Sequence, residues 1–153
     1  MKGLLIANKD KLARDTIAAK VASDDYRIST TDSVVNSLEN ILDKSVQVVL
    51  LSGVFDENYV AKFVPLLKKC NRHLAIILMT DEIPLELLRH IRKEGIFYHA
   101  LQPAGADSWD EIREAIACAF ETYQAQEKIG CGRFRLARVR GLLSTLCIGG
   151  PLL

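Results

Sequence analysis

Polar side chains follow four short apolar runs of the sequence, and their types determine what chemistry they could perform together. They are Asn8, Lys9 and Asp10 after the first run, Ser52 after the second, Thr80 after the third and Gln102 after the fourth. If the runs are parallel strands, these side chains share the edge of the sheet where such folds place their sites. The set contains one carboxylate, whereas Mg²⁺ prefers several anionic oxygen ligands. The residues therefore lack the charges that a phosphate-transfer site needs.

Strand-like and helix-like segments alternate from the start of the chain to residue 126, and these segments must position the polar residues. The predicted strands are residues 2–7, 26–31, 46–51, 74–79 and 97–101. The predicted helices are residues 10–22, 32–42, 57–69, 85–93 and 109–126. This alternation predicts an α/β fold with a doubly wound, five-stranded parallel sheet of order 2-1-3-4-5 and right-handed crossovers. In that order strands 1 and 3 are neighbours, so Asn8, Lys9, Asp10 and Ser52 should meet.

Capping signals and apolar spacing define the helices further. Asp10 suits the N-cap of the first helix, Asp32 or Ser33 that of the second, Pro84 the start of the fourth and Gly95 its end. Apolar residues at helical spacing should face the sheet. In the first three helices they are Leu12, Ile17, Ala18, Val21, Val34, Val35, Leu38, Ile41, Leu42, Val60, Phe63, Val64, Leu66 and Leu67. In the last helix they are Ile112, Ala115, Ile116, Ala119 and Phe120.

Four segments of residues 1–126 resemble the receiver domain of two-component response regulators, the CheY-like family. They are LLIANKD, VQVVLLSG, IILMTD and EGIFYHALQP, and their order and spacing match strands 1, 3, 4 and 5 of that family. The resemblance implies a flavodoxin-like three-layer sandwich. It also implies a signalling role through phosphorylation of an aspartate at the end of strand 3, with Mg²⁺ bound by acidic residues after strand 1.

The sequence departs from the receiver pattern where the chemistry of the family lies. Asn8 and Lys9 stand at the acidic pair, Ser52 at the phosphoacceptor and Gln102 at the lysine, while Asp10 and Thr80 keep suitable side chains. We therefore expect a vestigial phosphorylation site with weak or absent Mg²⁺ binding, no other cofactor and no enzymatic activity. Ser52 would need a neighbouring base to act as a nucleophile.

Other candidate acceptors and bases are less favoured. Asp56, in the loop after strand 3, is a weak candidate for a displaced acceptor because it lacks a metal site. His73, His90 and His99 are dispersed along the chain, which disfavours a Ser/His/acid arrangement.

Two positions admit two interpretations each. Thr80 and His99 match the hydroxyl and aromatic switch pair of receivers, but a loop cap and a half-buried sheet residue are the favoured interpretation. Lys9 is either a solvated lysine or an ammonium that replaces the missing cations by pairing with Asp10 or binding strand-end carbonyls. Gln102 can still donate a hydrogen bond across the same edge.

Composition and charge indicate one domain with an appendage. The chain has 153 residues and a net charge of +1, but residues 1–126 carry 15 Lys+Arg against 18 Asp+Glu, and residues 127–153 carry 5 against 1. We interpret residues 1–126 as the receiver-like domain and 127–153 as a basic, then apolar, C-terminal tail or truncated linker. The four cysteines lack metal-site spacing, and no signal peptide or membrane span is evident, so a cytoplasmic location is expected.

Partners follow from the surfaces. The face made by helix 4, strand 5 and helix 5 carries mixed charges suited to a symmetric homodimer. These residues are Arg89, Arg92, Lys93, Tyr98, Glu111, Arg113 and Glu114. The tail could touch anionic lipid or nucleic acid, but docking on the body or on a partner is favoured, and no DNA-binding motif is present.

Three functions from different classes remain open. The first is a non-phosphorylatable receiver-like module acting through contact with a protein partner or an output domain outside this chain. The alternative is a ligand- or phosphate-responsive switch with an altered site. A flavodoxin-like enzyme is disfavoured because no glycine-rich phosphate loop follows strand 1.

Overall fold

A computed structural model describes residues 2–33, 38–52, 57–81 and 85–131. Val34, Val35, Asp56, Pro84 and the tail from residue 132 onward, all of which carry predictions, lie outside these residues, as does the side chain of Val60. The strands are β1 Gly3–Ala7, β2 Arg27–Thr31, β3 Val48–Ser52, β4 Ala75–Thr80 and β5 Tyr98–Leu101. The helices are α1 Lys11–Val21, α2 Leu38–Leu42, α3 Glu57–Cys70, α4 Leu85–Glu94 and α5 Ala106–Cys131.

The five strands form one parallel sheet in the order β2-β1-β3-β4-β5, as the sequence predicts. β1 and β3 are buried along their whole length because helices cover both faces of the sheet. Alternate strand residues therefore enter two separate cores. Leu4, Ile6 and Leu50 pack in the core that includes residues of α1 and α5, and Leu5 and Val49 pack in the core that includes residues of α2, α3 and α4.

The packing of the helices confirms most of the predicted inward face and corrects three residues of it. Ala18, Leu38 and Phe63 are partly buried and pack against the cores. Ile17, Val21, Ile41, Val64, Leu67 and the five predicted residues of α5 are buried. Leu12, Leu42 and Leu66 are wrong, with exposed fractions of 74%, 58% and 42%. At 100° per residue, Leu12 points away from Val21, and Leu66 lies well off the stripe through Val64 and Leu67.

The ends of the helices also differ from the prediction in places. Asp10 caps α1, and Gly95 follows α4 with a φ of +102°, both as expected. The described part of α2 begins at Leu38, so the predicted cap at Asp32 or Ser33 borders residues outside the described ranges. α5 runs to Cys131, beyond the predicted end at residue 126 and across the boundary placed before the tail. Gln, Ala, Glu and Lys at residues 124–128 are good helix formers, which explains this extension.

No helix in the described ranges is long and apolar enough to cross a membrane.

Candidate functional site

The carboxyl ends of β1 and β3 bring Asn8 and Ser52 together. Ala7 pairs with Leu51 in the parallel register, so the next residue on each strand falls at the same level. The Nδ2 of Asn8 donates a hydrogen bond of 2.7 Å to the Oγ of Ser52. Asn8 is 5% exposed and Ser52 is fully buried. A neutral amide–hydroxyl pair therefore fills the position where the receiver pattern has two carboxylates.

The remaining polar groups of Asn8 connect β1 to α1. Its Oδ1 accepts the Asp10 N–H at 2.8 Å, and its own N–H donates to the Thr31 carbonyl at 3.1 Å. This local side-chain bond turns the chain out of β1 and into the first turn of α1. The Asn8 side chain thus uses both its donor and its acceptor within the protein.

Asp10 acts as the N-cap of α1 and is exposed to solvent. Its Oδ1 accepts the Leu12 N–H at 3.2 Å, and its Oδ2 accepts the Ala13 N–H at 3.3 Å. A carboxylate at this position satisfies two free N–H groups and interacts favourably with the helix dipole. The retained acidic residue therefore stabilises the start of a helix.

Arg14 contributes to this edge and is not among the residues that the sequence predicts. Its Nη1 donates to the carbonyl oxygens of Asn8 at 2.6 Å and Lys9 at 3.3 Å. A guanidinium thus binds the strand-end carbonyls, a role that the sequence suggests for the ammonium of Lys9. Lys9 itself is exposed. The only sequence signal for Arg14 is its place in the first two turns of α1, one turn after the N-cap.

Thr80, the last residue of β4, meets His99, the second residue of β5. The Thr80 Oγ1 and the His99 Nε2 are 2.8 Å apart, and both residues are partly buried. Burial, and then the positive charge of Arg92, lower the pKa of His99. The imidazole is therefore neutral at pH 7. Gln102 joins this edge through its backbone, because its N–H donates to the Thr80 carbonyl at 2.9 Å.

The residues at the first edge do not fit a magnesium ion. Asn8 Oδ1 and both Asp10 oxygens already accept backbone N–H groups, and Ser52 Oγ accepts an amide proton. Mg²⁺ demands near-octahedral coordination by hard oxygens and usually takes one or two carboxylates. Among the described residues, no group of three His, Cys, Asp or Glu side chains could hold a metal ion. We therefore assign no metal-dependent step to this edge.

The structure thus joins the predicted site residues in two hydrogen-bonded groups. Asn8, Asp10 and Ser52 form one group at β1 and β3, and Thr80, His99 and the Gln102 backbone form the other at β4 and β5. Within the described residues, no buried side-chain nitrogen or oxygen lacks a hydrogen-bond partner. The predicted neighbours therefore make a satisfied polar network.

The Asn8–Ser52 bond should be measurable as a coupling energy. We expect Ser52→Ala to cost about 1–2 kcal/mol, because it leaves the buried Asn8 amide without an acceptor, and Asn8→Ala to cost about 2 kcal/mol. The double variant should be less destabilised than the sum of the two by about 1 kcal/mol. Urea unfolding of all four proteins measures this cycle, and strictly additive effects would mean that the bond contributes nothing.

The His99 pKa predicts a pH dependence of stability. The unfolded chain, with a histidine pKa of about 6.5, binds a proton more readily than the folded chain. The free energy of unfolding should therefore fall as the pH drops below about 6.5, and level off below the folded pKa. Urea unfolding from pH 8 to pH 5 tests this against His99→Gln, which should lose this part of the slope. The same slope in both proteins would contradict the prediction.

Solved structures of receiver domains resemble this chain. A signal receiver domain of an HD domain-containing protein from Pseudomonas fluorescens Pf-5 aligns with a TM-score of 0.71 and 14% identity over 83% of this chain and 92% of that one. A response regulator receiver domain protein from Clostridium thermocellum gives 0.69 and 20% over 82% and 99%. The beryllofluoride-activated NtrC4 receiver domain dimer gives 0.67 and 17% over 80% and 99%.

No family model and no curated protein matches the sequence. At identities of 14–20% the structural likeness concerns the fold. It extends over about four fifths of this chain and nearly the whole of each receiver. The chain therefore has the fold of response-regulator receiver domains.

Proposed function

We propose that this protein is a receiver-like module of a two-component, phosphorelay-type signalling system that is not itself phosphorylated. It acts in the cytoplasm through contact with a protein partner or an output domain, and it performs no catalysis. The observation that carries the proposal is the buried 2.7 Å hydrogen bond between Asn8 and Ser52. The receiver fold supports the class of function, and this bond supports the loss of phosphorylation.

Ser52 is poorly suited to accept a phosphoryl group. Transfer from a phosphohistidine in a receiver uses a carboxylate nucleophile, whereas a serine hydroxyl needs an adjacent base. The group bonded to Ser52 is the amide of Asn8, which cannot take its proton. The hydroxyl is also fully buried, so a phosphodonor cannot approach it without opening the edge. These facts favour a permanently neutral site.

The bond between Thr80 and His99 supports one fixed conformation. In receivers, the corresponding hydroxyl and aromatic rearrange when a phosphoryl group arrives. Here the Thr80 hydroxyl is already 2.8 Å from a ring nitrogen of His99, and this contact links β4 to β5. A partner would therefore recognise this surface without a preceding chemical step.

The experiment that tests the proposal is a titration of the full chain with Mg²⁺ and beryllofluoride, followed by amide NMR at Asn8, Ser52, Thr80 and His99. We expect unchanged spectra, and no phosphoryl group in the intact mass after incubation with acetyl phosphate. Saturable shifts that spread from Ser52 to His99 would overturn the proposal and support a phosphate-responsive switch. If such shifts occur, Thr80→Ala is the matched control: without the Thr80 hydroxyl the shifts should stay at the edge of β1 and β3 and not reach His99.

The favoured partner surface is the face formed by α4, β5 and α5, with a second copy as one occupant. The Tyr98 hydroxyl donates to Glu111 across this face, which links β5 to α5. Leu85 and Leu101, in α4 and β5, are 60% and 66% exposed. NtrC4, which shares the fold, was solved as a receiver dimer. Two exposed leucines on a face that also carries charged residues support a protein contact.

Self-association through this face can be tested with paired substitutions. We expect sedimentation velocity to show a dimer that Leu101→Asp dissociates, because a charge would enter the apolar centre of the contact. Leu12→Asp is the control, since Leu12 is 74% exposed on α1, outside this face. Equal behaviour of the two variants would exclude this face as the dimer surface and leave a different protein as its partner.

A further inference from the structure

A cleft of about 480 Å³ lies at the opposite end of the sheet from Ser52. It is lined by the residue before β1, the α1–β2 and α2–β3 loops, and the final turns of α5. The lining residues are Lys2, Asp24, Asp25, Lys44, Gln47, Phe120, Tyr123, Gln124 and Glu127. Its volume is within the range of small-ligand sites, which is about 300–1,000 Å³. The polar network at β1 and β3 does not include any of these residues.

One wall of the cleft is held rigidly by backbone contacts. A Cβ on Gly3 would lie 2.0 Å from the Ser45 carbonyl, so the start of β1 and the α2–β3 loop are in close contact. Gln47 braces the same place, because its Oε1 accepts the Gly3 N–H at 2.6 Å and its Nε2 donates to the Lys44 carbonyl. Lys44 adopts a φ of 62° after α2. The loop that presents Lys44 is therefore fixed before any ligand arrives.

The opposite wall is aromatic and belongs to α5. Tyr26 stacks on Phe120 with 5.2 Å between ring centroids, and the Lys2 ammonium lies 5.7 Å from the Phe120 ring. The Tyr123 hydroxyl accepts a hydrogen bond from Asn71 at 3.2 Å. Both α5 rings are almost fully buried, so this wall is rigid and exposes little ring surface to a ligand. Ligand contacts must then come mainly from the charged rim.

The rim charges are separated along the sheet. Asp24 and Asp25 lie in the loop that leads to β2, whereas Lys44 lies in the loop that leads to β3. Because β1 lies between β2 and β3, Lys2 falls between these two groups. Glu127 adds a third carboxylate from α5. Glu127 hydrogen-bonds the Tyr123 hydroxyl, so its carboxylate already has a partner within the protein. Asp24 and Asp25 make the β2 end of the cleft acidic, and Lys2 and Lys44 supply two ammonium groups toward β3, which favours a ligand with opposite charges at its two ends.

The spacing of the strands sets the length of such a ligand. Neighbouring strands lie about 4.8 Å apart, so the β2 and β3 ends of the cleft are separated by about 10 Å. An extended peptide covers about 3.3–3.6 Å per residue, so a tripeptide spans about 10 Å between its termini. Its ammonium and carboxylate would then reach opposite ends of the rim at the same time.

We propose that this cleft binds a short peptide of about three residues as a zwitterion, with its ammonium at Asp24 and Asp25 and its carboxylate at Lys2 and Lys44. This site goes beyond the proposed function and does not depend on it. α5 forms one wall of the cleft and runs on to Cys131. A bound peptide would therefore connect the fixed α2–β3 loop to the helix that leads into the basic tail.

The test is an amide NMR titration of the full chain with triglycine, acetyl-triglycine and triglycine amide. Acetylation removes the positive terminus, and amidation removes the negative one. We expect triglycine to shift the amides of Asp25, Lys44 and Gln124, and to bind about three- to fivefold more tightly than either analogue, as exposed ion pairs allow. The Ser52 and Thr80 amides, at the other end of the sheet, should not move.

Two variants assign the ends of the peptide. Lys44→Gln should reduce the preference for triglycine over triglycine amide, because only Lys2 then remains for the carboxylate, and Asp24→Asn with Asp25→Asn should abolish the preference over acetyl-triglycine. All three side chains are exposed, and unchanged Ser52 and Thr80 amides verify the fold of each variant. The proposal is overturned if triglycine leaves the cleft amides unmoved, if the three peptides bind equally, or if both variants keep the wild-type preferences.

Discussion

Ser52→Asp should destabilise the protein by about 3–5 kcal/mol at pH 7, although it restores the residue type of the receiver pattern. Ser52 is fully buried, and its partner is the neutral amide of Asn8. An aspartate there would be a buried charge without a cation to pair with it. In a receiver the metal ion and a lysine supply the balancing positive charge, and here Gln102 stands at the lysine position.

The pH dependence separates the charge of this aspartate from its size. Burial raises the pKa of a carboxyl group, so the folded variant should bind its proton more tightly than the unfolded one, whose pKa is about 3.9. The destabilisation should therefore be small at low pH and grow as the pH rises above about 4. Ser52→Asn is the control, because it has nearly the same volume without the charge and should show no such growth.

Urea unfolding of the two variants between pH 4 and pH 8 gives the answer. Equal stability of the aspartate and asparagine variants at pH 7 would mean that some cation neutralises the carboxylate. Repeating the measurement with Mg²⁺ identifies that cation. A Mg²⁺-dependent rescue of the aspartate variant would show that the edge still binds the metal, and would weigh against a site that has lost it.

The sequence predicts the architecture well because its signals are local and strong. Strands buried on both faces appear as apolar runs, and the short connections allow few topologies. The sequence predicts less well which helix residues face the sheet, since Leu12 and Leu66 are apolar residues that the sheet does not cover. Apolar type alone does not determine burial, because much of a folded protein's surface is apolar. The end of α5 is likewise predicted too early, at residue 126, because the helix continues through Gly130 to Cys131 on good helix-forming residues.

The sequence predicts which residues form the candidate site but not which hydrogen bonds they make. Neighbouring parallel strands place Asn8 beside Ser52, and this follows from strand order alone. The choice of the Asn8 amide to donate to Ser52 while its oxygen accepts from Asp10 depends on rotamers that the sequence does not encode locally. The sequence does not predict the contacts of Arg14 for the same reason, because a long side chain on a helix surface can reach many hydrogen-bond acceptors.

The two ends of the sheet differ in how they could receive a signal. At the carboxyl ends of the strands, the Asn8–Ser52 and Thr80–His99 bonds leave the polar groups satisfied. At the amino ends, charged side chains border an open cleft lined by the residue before β1, the α1–β2 and α2–β3 loops and α5. The proposed loss of phosphorylation at one end of the sheet is thus compatible with a response to a ligand at the other end. The loop that joins α2 to β3 forms one wall of this cleft, so its close contact with Gly3 of β1 helps to fix the shape of the cleft.

Gly3→Ala should destabilise the protein by about 3 kcal/mol, the upper end of the usual cost of overpacking. The new Cβ would lie 2.0 Å from the carbonyl oxygen of Ser45, which is a backbone atom and cannot rotate away. Either β1 or the α2–β3 loop must move, and the hydrogen bond between the Gly3 N–H and Gln47 would weaken. The cost comes from lack of space, since the φ of Gly3 is not positive.

Two other glycines provide matched controls for this substitution. Gly105→Ala should cost nothing, because no heavy atom lies within 4 Å of its added Cβ. Gly95→Ala should cost about 1–2 kcal/mol, because its φ of +102° strains any residue with a side chain. Urea unfolding at pH 7 should therefore rank the variants as Gly105→Ala, Gly95→Ala and Gly3→Ala in order of falling stability. If Gly3→Ala were as stable as Gly105→Ala, the loop at Ser45 would not be in contact with β1, and the rigid wall inferred for the cleft would be lost with it.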